Sequence, residues 1–157
     1  GKKARGGEVE KKYFVVQFGD VVFYRFLMSI GLTPNKSKTL AKVDIPDKFF
    51  IDFLRGCIDG DGSITIHKHP QSKNDQLRLR LSSASQKFLE WTKERVSSLY
   101  KISGGWIDKG PSVHQLCYGK ADSVKILNLL YYPKVEYYLE RKFVKAKPYL
   151  KGEWWNW

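Results

Sequence analysis

The stretch Phe53-Leu-Arg-Gly-Cys-Ile-Asp-Gly-Asp-Gly-Ser-Ile64 decides the fold, because it leads an amphipathic helix directly into a strand. Upstream of it, Pro46 favours the start of a helix. Apolar residues then follow at helical spacing, at Phe50, Phe53, Leu54, Cys57 and Ile58. The sequence therefore predicts a helix from about residue 46 that ends at Gly60 and Gly62.

Two carboxylates, Asp59 and Asp61, fall at the C-terminal end of this helix, where the macrodipole and unpaired carbonyls already present negative charge. A divalent cation would resolve this conflict, because carboxylate and carbonyl oxygens make a hard site suited to Mg²⁺ or Ca²⁺. The structural alternative is that Asp59 caps a turn and Asp61 begins a hairpin. An EF-hand is excluded, since Ile64 and Pro70 stand where that loop needs glycine and glutamate.

Alternation of apolar and polar residues predicts two hairpins after the motif. Ile64 and Ile66 alternate with polar residues, and after a loop the leucines at 77, 79 and 81 do the same. One sheet face is thus expected to be core and the other polar and basic. The remaining predicted elements are a helix over 85–100, a second hairpin from 106–108 and 113–118, and helices over 120–131 and 136–147.

From Pro46 onward the predicted order is αββαββα, an α+β fold with a four-stranded antiparallel sheet. We divide the chain into a flexible basic arm at 1–12, a β-α segment at 13–45, the αββαββα domain at 46–150 and a Trp-rich tail at 151–157. The β-α segment consists of a strand over Tyr13–Phe18 and a helix from Asp20. It resembles residues 118–139 at an offset of about 100, which leaves two interpretations: a chance similarity between a strand and an apolar helix, or the tail of a preceding repeat.

Composition restricts the class of partner. The chain has 157 residues, with 28 Lys+Arg against 16 Asp+Glu and a net charge of +12, so a polyanion is the expected partner. No apolar run reaches the length of a membrane span, and the N-terminus lacks a signal peptide. An intracellular protein of the cytoplasm or nucleoid is expected, with an organelle left open. Two cysteines exclude a disulfide framework or a four-thiolate zinc site.

The motif resembles that of a known family. Leu54-Arg-Gly-Cys-Ile-Asp-Gly-Asp-Gly62 resembles the nonapeptide that names the LAGLIDADG homing endonucleases, with Gly60 in place of alanine. The αββαββα order resembles that family's half-domain. Ser82-Ser-Ala-Ser-Gln86 resembles its strand-to-helix segment, and Tyr138-Leu-Glu-Arg-Lys142 its late basic signature. The resemblance covers about residues 13–147.

The resemblance implies roles for individual residues. Asp61 and the Gly60 carbonyl match the metal ligands, whereas Gly56 and Asp59 match the interface between paired motif helices. Lys142 matches the basic residue near the reacting water and phosphate; the alternative is a solvated surface lysine. The position that often carries a water-positioning glutamine is Ser85, or Gln86 if the register slips by one.

The implied activity is that of a sequence-specific double-stranded DNA endonuclease that hydrolyses phosphodiester bonds with Mg²⁺, with Ca²⁺ or Mn²⁺ substituting in binding. Such a site needs two motif helices and this chain shows one. The expected partner is therefore a second copy, in a homodimer through the motif helix, or a missing N-terminal half. The alternative function is a non-cleaving DNA- or RNA-binding protein on the same scaffold: a maturase, a regulator or an inactive half-enzyme.

The polar sheet face is expected to read bases in the major groove. The candidate DNA-binding residues are Thr65, His67, His69, Gln71, Gln76, Arg78, Arg80, Ser82 and Lys109. On the second hairpin the face is ambiguous between Trp106, Asp108, His114 and Gln115. Surplus lysines would contact phosphates. The tryptophans of the tail have two open interpretations, stacking on bases or covering apolar surface.

Overall fold

The computed structural model describes residues 15, 17–68 and 75–151. Its helices and strands, in chain order, are α1 Val21–Ser29, α2 Phe50–Asp61, β1 Gly62–Lys68, β2 Asp75–Ser83, α3 Gln86–Tyr100, β3 Trp106–Lys109, β4 His114–Tyr118, α4 Lys120–Leu130 and α5 Glu140–Ala146. Single 3₁₀ turns precede α2 and follow α5, at Asp47–Phe49 and Lys147–Tyr149. The order from α2 to α4 confirms the predicted αββαββα fold. None of the described helices is long and apolar enough to cross a membrane.

The four strands form one antiparallel sheet in the order β1-β2-β4-β3. Its register pairs Ile64 with Leu79, and Leu116 with both Leu81 and Ile107, so these apolar side chains share one face. The opposite face, called the polar face below, carries Ser63, Thr65, His67, Gln76, Arg78, Arg80, Ser82, Gln115, Cys117, Trp106 and Asp108. The alternation in the sequence therefore predicted the two faces of the first hairpin.

Helices α2, α3 and α4 pack on the apolar face and form the core with it. Leu77, Leu79 and Leu116 of the sheet are at most 1% exposed. Each of the three helices contributes buried apolar side chains, among them Phe50, Ile58, Leu89, Val96, Ile126 and Leu127. The helical layer thus leaves the polar face uncovered by described elements.

Helix α1 forms as predicted, but it is not part of the core. Asp20 accepts a hydrogen bond from the Phe23 backbone N–H at 2.8 Å and so caps its first turn. None of its residues is buried, and Phe26 is 53% exposed. The apolar spacing predicted the helix correctly. Its apolar side chains, however, are not covered by any other described element.

The segment around α1 departs from the prediction in one respect. The predicted strand is absent at its described residues, Val15, Gln17 and Phe18. The four-stranded sheet has β1 and β3 as its edges, and no described strand pairs with these residues. The similarity to the C-terminal part has a backbone counterpart: Asn35 and Lys134 each follow a proline and adopt left-handed φ values of 55° and 67°. The basic arm, the rest of the Tyr13–Phe18 prediction and the tryptophans of the tail lie outside the described residues.

Candidate functional site

The motif helix α2 continues one turn further than its glycines predict. Gly60 stays helical and the helix ends at Asp61, where the Gly62 backbone N–H donates to the Ile58 carbonyl. Gly62 then takes an extended conformation, with φ −88° and ψ 169°, and begins β1. Asp59 and Asp61 therefore both lie in the last helical turn, at the edge of the sheet.

Lys142 of α5 binds the end of this helix. Its Nζ donates to the carbonyls of Asp59 and Gly62, both at 2.7 Å, and to that of Ile58. Of these three, the Asp59 carbonyl belongs to the last helical turn, whose carbonyls lack partners within the helix. Lys142 is only 4% exposed, so the surface-lysine alternative is wrong. Burial, and then the charge of Arg141, lower the pKa of its ammonium below the ordinary value.

The two carboxylates have different surroundings. Asp59 Oδ2 accepts the Leu139 backbone N–H at 2.9 Å, which ties the end of α2 to the start of α5. Its Oδ1 is buried without a partner in the described part of the chain. Asp61, by contrast, is exposed and accepts no hydrogen bond from any described residue. Asp61 is thus the carboxylate that is open to an external ligand.

The donors at the helix end fit part of a Mg²⁺ site. The Asp61 carboxylate and the neighbouring Gly60 carbonyl supply two hard oxygens, and Lys142 has already engaged the other carbonyls of this turn. Within residues 15, 17–68 and 75–151, no group of three His, Cys, Asp or Glu side chains could hold a metal ion. The described residues of one chain therefore offer only part of the oxygen ligands that Mg²⁺ requires.

A cavity of about 590 Å³ lies beside Asp61. One wall of the cavity is formed by α2, through Phe53, Cys57 and Asp61. A second wall is formed by residues 81–84, at the end of β2 and in the bend that follows it. Burial, and then the charge of Asp61, raise the pKa of the Cys57 thiol to about 12. Cys57 is therefore protonated at neutral pH and is a packing residue rather than a nucleophile.

Ser85 and Gln86 lie near this cavity but have partners elsewhere. Ser85 is buried, its hydroxyl accepts the Phe88 N–H at 3.3 Å as the N-cap of α3, and it donates to the Leu40 carbonyl. Gln86 donates to Glu90 on the outside of α3 at 2.6 Å. Neither residue lines the cavity beside Asp61. The structure therefore gives Ser85 a capping role and does not bring it to the carboxylates.

One side of α2 is uncovered next to the carboxylates. Gly56 and Gly60 are one turn apart, so they share a helix face, and both are exposed. A methyl group added at either would meet no atom within 4 Å in the described structure. Phe49, in the turn before the helix, is also exposed. We call Phe49, Gly56 and Gly60 the open face of α2.

The polar face gathers most of the predicted DNA-binding residues. Thr65 pairs with Arg78 and His67 with Gln76 across the first hairpin, and Arg80 and Ser82 continue the row. Of the candidates left ambiguous on the second hairpin, Trp106, Asp108 and Gln115 lie on this face: Trp106 donates to Asp108 at 3.0 Å, and Gln115 donates to Ser82 at 3.3 Å. His69 and Gln71 lie outside the described residues.

The register also resolves the ambiguity in the second hairpin. Lys109 and His114 pair with each other on the same side as Ile107 and Leu116. Lys109 is thus not on the polar face, because strand residues alternate in direction and Asp108 takes that side. An exposed lysine at the end of β3 remains available to phosphates rather than to base edges.

The prediction missed the role of a buried arginine within the motif. Arg55 is 7% exposed, and its guanidinium donates to the carbonyls of Tyr137 at 2.9 Å and Leu130 at 3.0 Å. It also pairs with Asp52 at 2.6 Å. These contacts join α2 to the end of α4 and to the chain before α5. A charged residue inside an otherwise apolar helix pattern was the signal that could have revealed it.

No protein-family model and no curated protein matches the sequence. Among solved structures, the chain is similar to the N-terminal LAGLIDADG domain of DUF199/WhiA, with 20% identity and a TM-score of 0.46 over 64% of this chain and 46% of that one. It is also similar to the homing endonuclease I-TnaI, with 13% identity and a TM-score of 0.42 over 63% and 67% of the chains. It is similar as well to the LAGLIDADG homing endonuclease I-GzeII in complex with its DNA target, with 18% identity and a TM-score of 0.43 over 80% of this chain and 41% of that one.

The chain spans about half the length of the first of these structures. At sequence identities of 13–20%, these similarities bear on the fold and not on the activity of this chain. The resemblance predicted from the motif is confirmed at that level, because the described elements show a LAGLIDADG-like α+β fold in which the motif helix leads into a four-stranded antiparallel sheet.

Proposed function

We propose that the chain is a sequence-specific double-stranded DNA endonuclease of the LAGLIDADG type, which hydrolyses phosphodiester bonds with Mg²⁺. The observation that carries this proposal is the contrast at the end of α2. Asp61 is exposed and without a partner among the described residues, whereas Asp59 and Lys142 are engaged inside the protein. The Asp61 carboxylate and the Gly60 carbonyl would hold the ion.

The polar face supports DNA as the substrate. Arg78 and Arg80 stand on a sheet face that no described element covers, and glutamine, serine and threonine side chains flank them. Arginine recognises guanine and glutamine recognises adenine in the major groove. The net charge of +12 adds affinity for phosphates that does not depend on base sequence.

The protein's own residues have simple tasks in this chemistry. Bound Mg²⁺ would lower the pKa of a water molecule and neutralise charge on the phosphate, and Ca²⁺ or Mn²⁺ would substitute for it in binding. The Asp61 carboxylate would bind the ion. Lys142 holds the backbone of residues 58–62, so that the Asp61 side chain keeps its orientation. Asp59 ties the same turn to α5.

Cleavage of both DNA strands requires a second motif helix, and we propose that a second copy of this chain supplies it. The open face of α2 supports this arrangement, because small residues let two helix backbones approach closely beside Asp61. The alternative partner is an N-terminal half that carries its own motif.

The test begins with selection of a binding duplex from a random-sequence pool in Ca²⁺, followed by incubation of the selected duplex with Mg²⁺. Unmodified protein should cut it. Asp61→Asn should abolish cleavage and retain binding, while Asp44→Asn, at an exposed position that does not line the cavity beside Asp61, should cut normally. Cleavage that persists in Asp61→Asn would overturn the assignment of the site.

A second candidate function is DNA binding without cleavage. It is favoured by the absence, among the described residues of one chain, of a complete metal-ligand cluster. Selection of a specific duplex that neither Mg²⁺ nor Mn²⁺ causes to be cut would assign this function instead. The polar face would then be the whole of the functional surface.

A further inference from the structure

One acidic side chain lies on the polar face, among basic and neutral residues. Asp108 of β3 pairs with Gln115 of β4 and is exposed. It is the only carboxylate among the described residues of that face. An acid placed against DNA repels phosphates, so its favourable contacts are with groups that donate hydrogen bonds.

Neighbouring side chains hold the Asp108 carboxylate in one position. Trp106 Nε1–H donates to its Oδ1 at 3.0 Å, and the Cys117 thiol donates to its Oδ2 at 3.4 Å. Gln115, opposite Asp108 in the register, donates to Ser82 instead. A carboxylate has about four acceptor sites, and these contacts use one on each oxygen. The carboxylate is therefore fixed in direction, and each oxygen can accept a further hydrogen bond.

The charge of Asp108 is not neutralised by the arginines of the same face. Arg80 pairs with Cys117 in the register and so lies one strand beyond it. No ion pair joins Asp108 to Arg78 or Arg80 in the described part of the chain. The acid and the arginines are therefore separate groups on one surface, the first an acceptor and the others donors.

The chemistry of the base edges selects the ligand of such an acceptor. In the major groove, guanine presents two acceptors, thymine presents one, and adenine presents an acceptor beside its amino group, whereas cytosine presents an amino group alone. A carboxylate accepts hydrogen bonds and cannot donate them. We propose that Asp108 reads a cytosine through its N4 amino group, and that Trp106 and Cys117 are positioning residues for the carboxylate. This inference rests on the proposed binding of specific duplex DNA, but it does not depend on cleavage.

The experiment compares the base preferences of three proteins. Duplexes are selected from a random-sequence pool in Ca²⁺ with the unmodified protein, with Asp108→Asn and with Glu94→Gln, and are then sequenced. Asp108→Asn removes one negative charge from the polar face, and Glu94→Gln removes one from an exposed position on α3. Because the two variants have the same net charge, a difference between their base preferences does not come from net charge.

The unmodified protein and Glu94→Gln should share one position at which cytosine is enriched. In Asp108→Asn this position should change from cytosine to adenine, because asparagine pairs with N6 and N7 of adenine. The other positions should keep their preferences. Identical preferences in all three proteins would overturn this inference and leave the proposed function standing. Failure of the unmodified protein to select any duplex would overturn both.

A second measurement removes the amino group from the DNA. The cytosine at the selected position is replaced by 2-pyrimidinone, which lacks the N4 amino group, and fluorescence anisotropy gives the affinity for both duplexes. The unmodified protein should bind the altered duplex about 5- to 150-fold more weakly. Asp108→Ala should bind the two duplexes with similar affinity, and any change in the duplex itself cancels because both proteins meet the same pair. Equal losses of affinity in the two proteins would overturn the contact between Asp108 and cytosine.

Discussion

At the scale of single residues, Lys142 connects two parts of the site. Its ammonium is buried and binds three carbonyls at the end of α2. The turn that carries Asp61 is therefore attached to α5 by Lys142 as well as by the hydrogen bond between Asp59 and the Leu139 N–H. In the proposed reaction, a lysine placed in this way acts through Asp61 and is a positioning residue. Its contacts explain how two carboxylates tolerate the negative end of a helix.

Replacement of Lys142 by methionine should lower the free energy of unfolding by about 2–4 kcal/mol, because three carbonyls lose a charged donor while the aliphatic packing is retained. Urea unfolding at pH 7 measures this change. Lys145→Met, exposed on the same helix, should change stability by less than about 0.5 kcal/mol. Equal effects of the two substitutions would contradict the capping role.

The same residue makes stability depend on pH. Because the pKa of Lys142 is lowered in the folded chain, the unfolded chain binds more protons between that pKa and the ordinary value of about 10.4. The free energy of unfolding contributed by this group should therefore rise with pH within that window and be flat below it. The difference between the unmodified protein and Lys142→Met, measured by urea unfolding at several alkaline pH values, isolates this contribution.

At the scale of elements, the joint between α2 and β1 depends on two glycines with opposite requirements. A Cβ on Gly62 would lie 2.6 Å from the Ile58 carbonyl oxygen and 3.0 Å from that of Arg80, whereas one on Gly60 would meet no atom within 4 Å. Both clashes at Gly62 are with backbone atoms, which cannot swing away as a side chain can. The last turn of α2 on one side and the backbone of β2 on the other therefore leave no room at Gly62 for a larger residue.

These glycines give a matched pair of substitutions. Gly62→Ala should destabilise the protein by about 1–3 kcal/mol, because the backbone must shift to admit the methyl group. Gly60→Ala should stabilise it by up to about 1 kcal/mol, because alanine is the better helix former and the position is open in a single copy. Thermal unfolding of both variants measures the difference, and a reversed order would refute this description of the joint.

Sequence predicted the elements whose pattern is local. The leucines of β2 alternate with arginines, so both the strand and its two faces were predictable, and the spacing of Phe50, Leu54 and Ile58 predicted α2. The contacts of Lys142 with residues 58–62 are about 80 positions apart in the chain, and no periodicity encodes them. Long-range packing fixes such contacts, and for the same reason the capping role of Ser85 was missed.

At the scale of the whole molecule, the sheet divides the protein into a helical side and the polar face, which we propose contacts DNA. Arg78→Gln and Arg80→Gln should each weaken binding to a selected duplex by about 1–3 kcal/mol and relax preference at one base position. Lys87→Gln, exposed on α3 of the helical side, should leave affinity unchanged. Fluorescence anisotropy over a series of salt concentrations measures the affinity of each variant for the duplex. Equal losses of affinity in all three variants would contradict the proposal that the polar face reads bases.

The proposed pairing of motif helices predicts the mass in solution. Light scattering at moderate salt should give a mass near twice 18.2 kDa. Gly56→Glu should return the chain to the monomer, because it places a bulky charge at the point of closest approach, while Ala121→Glu should have no effect. A monomer at every protein concentration would mean that a single copy carries half a site and that the other half comes from a different segment.

The exposed helix α1 has a consequence for the handling of this protein. Val22, Phe23 and Phe26 turn outward from a molecule whose net charge of +12 keeps copies apart. Electrolyte shortens the range of that repulsion to about 10 Å at 0.1 M, and sulfate strengthens apolar association. Ammonium sulfate should thus precipitate this protein early, whereas the double substitution Phe23→Ser and Phe26→Ser, which leaves the net charge unchanged, should raise its solubility limit in that salt.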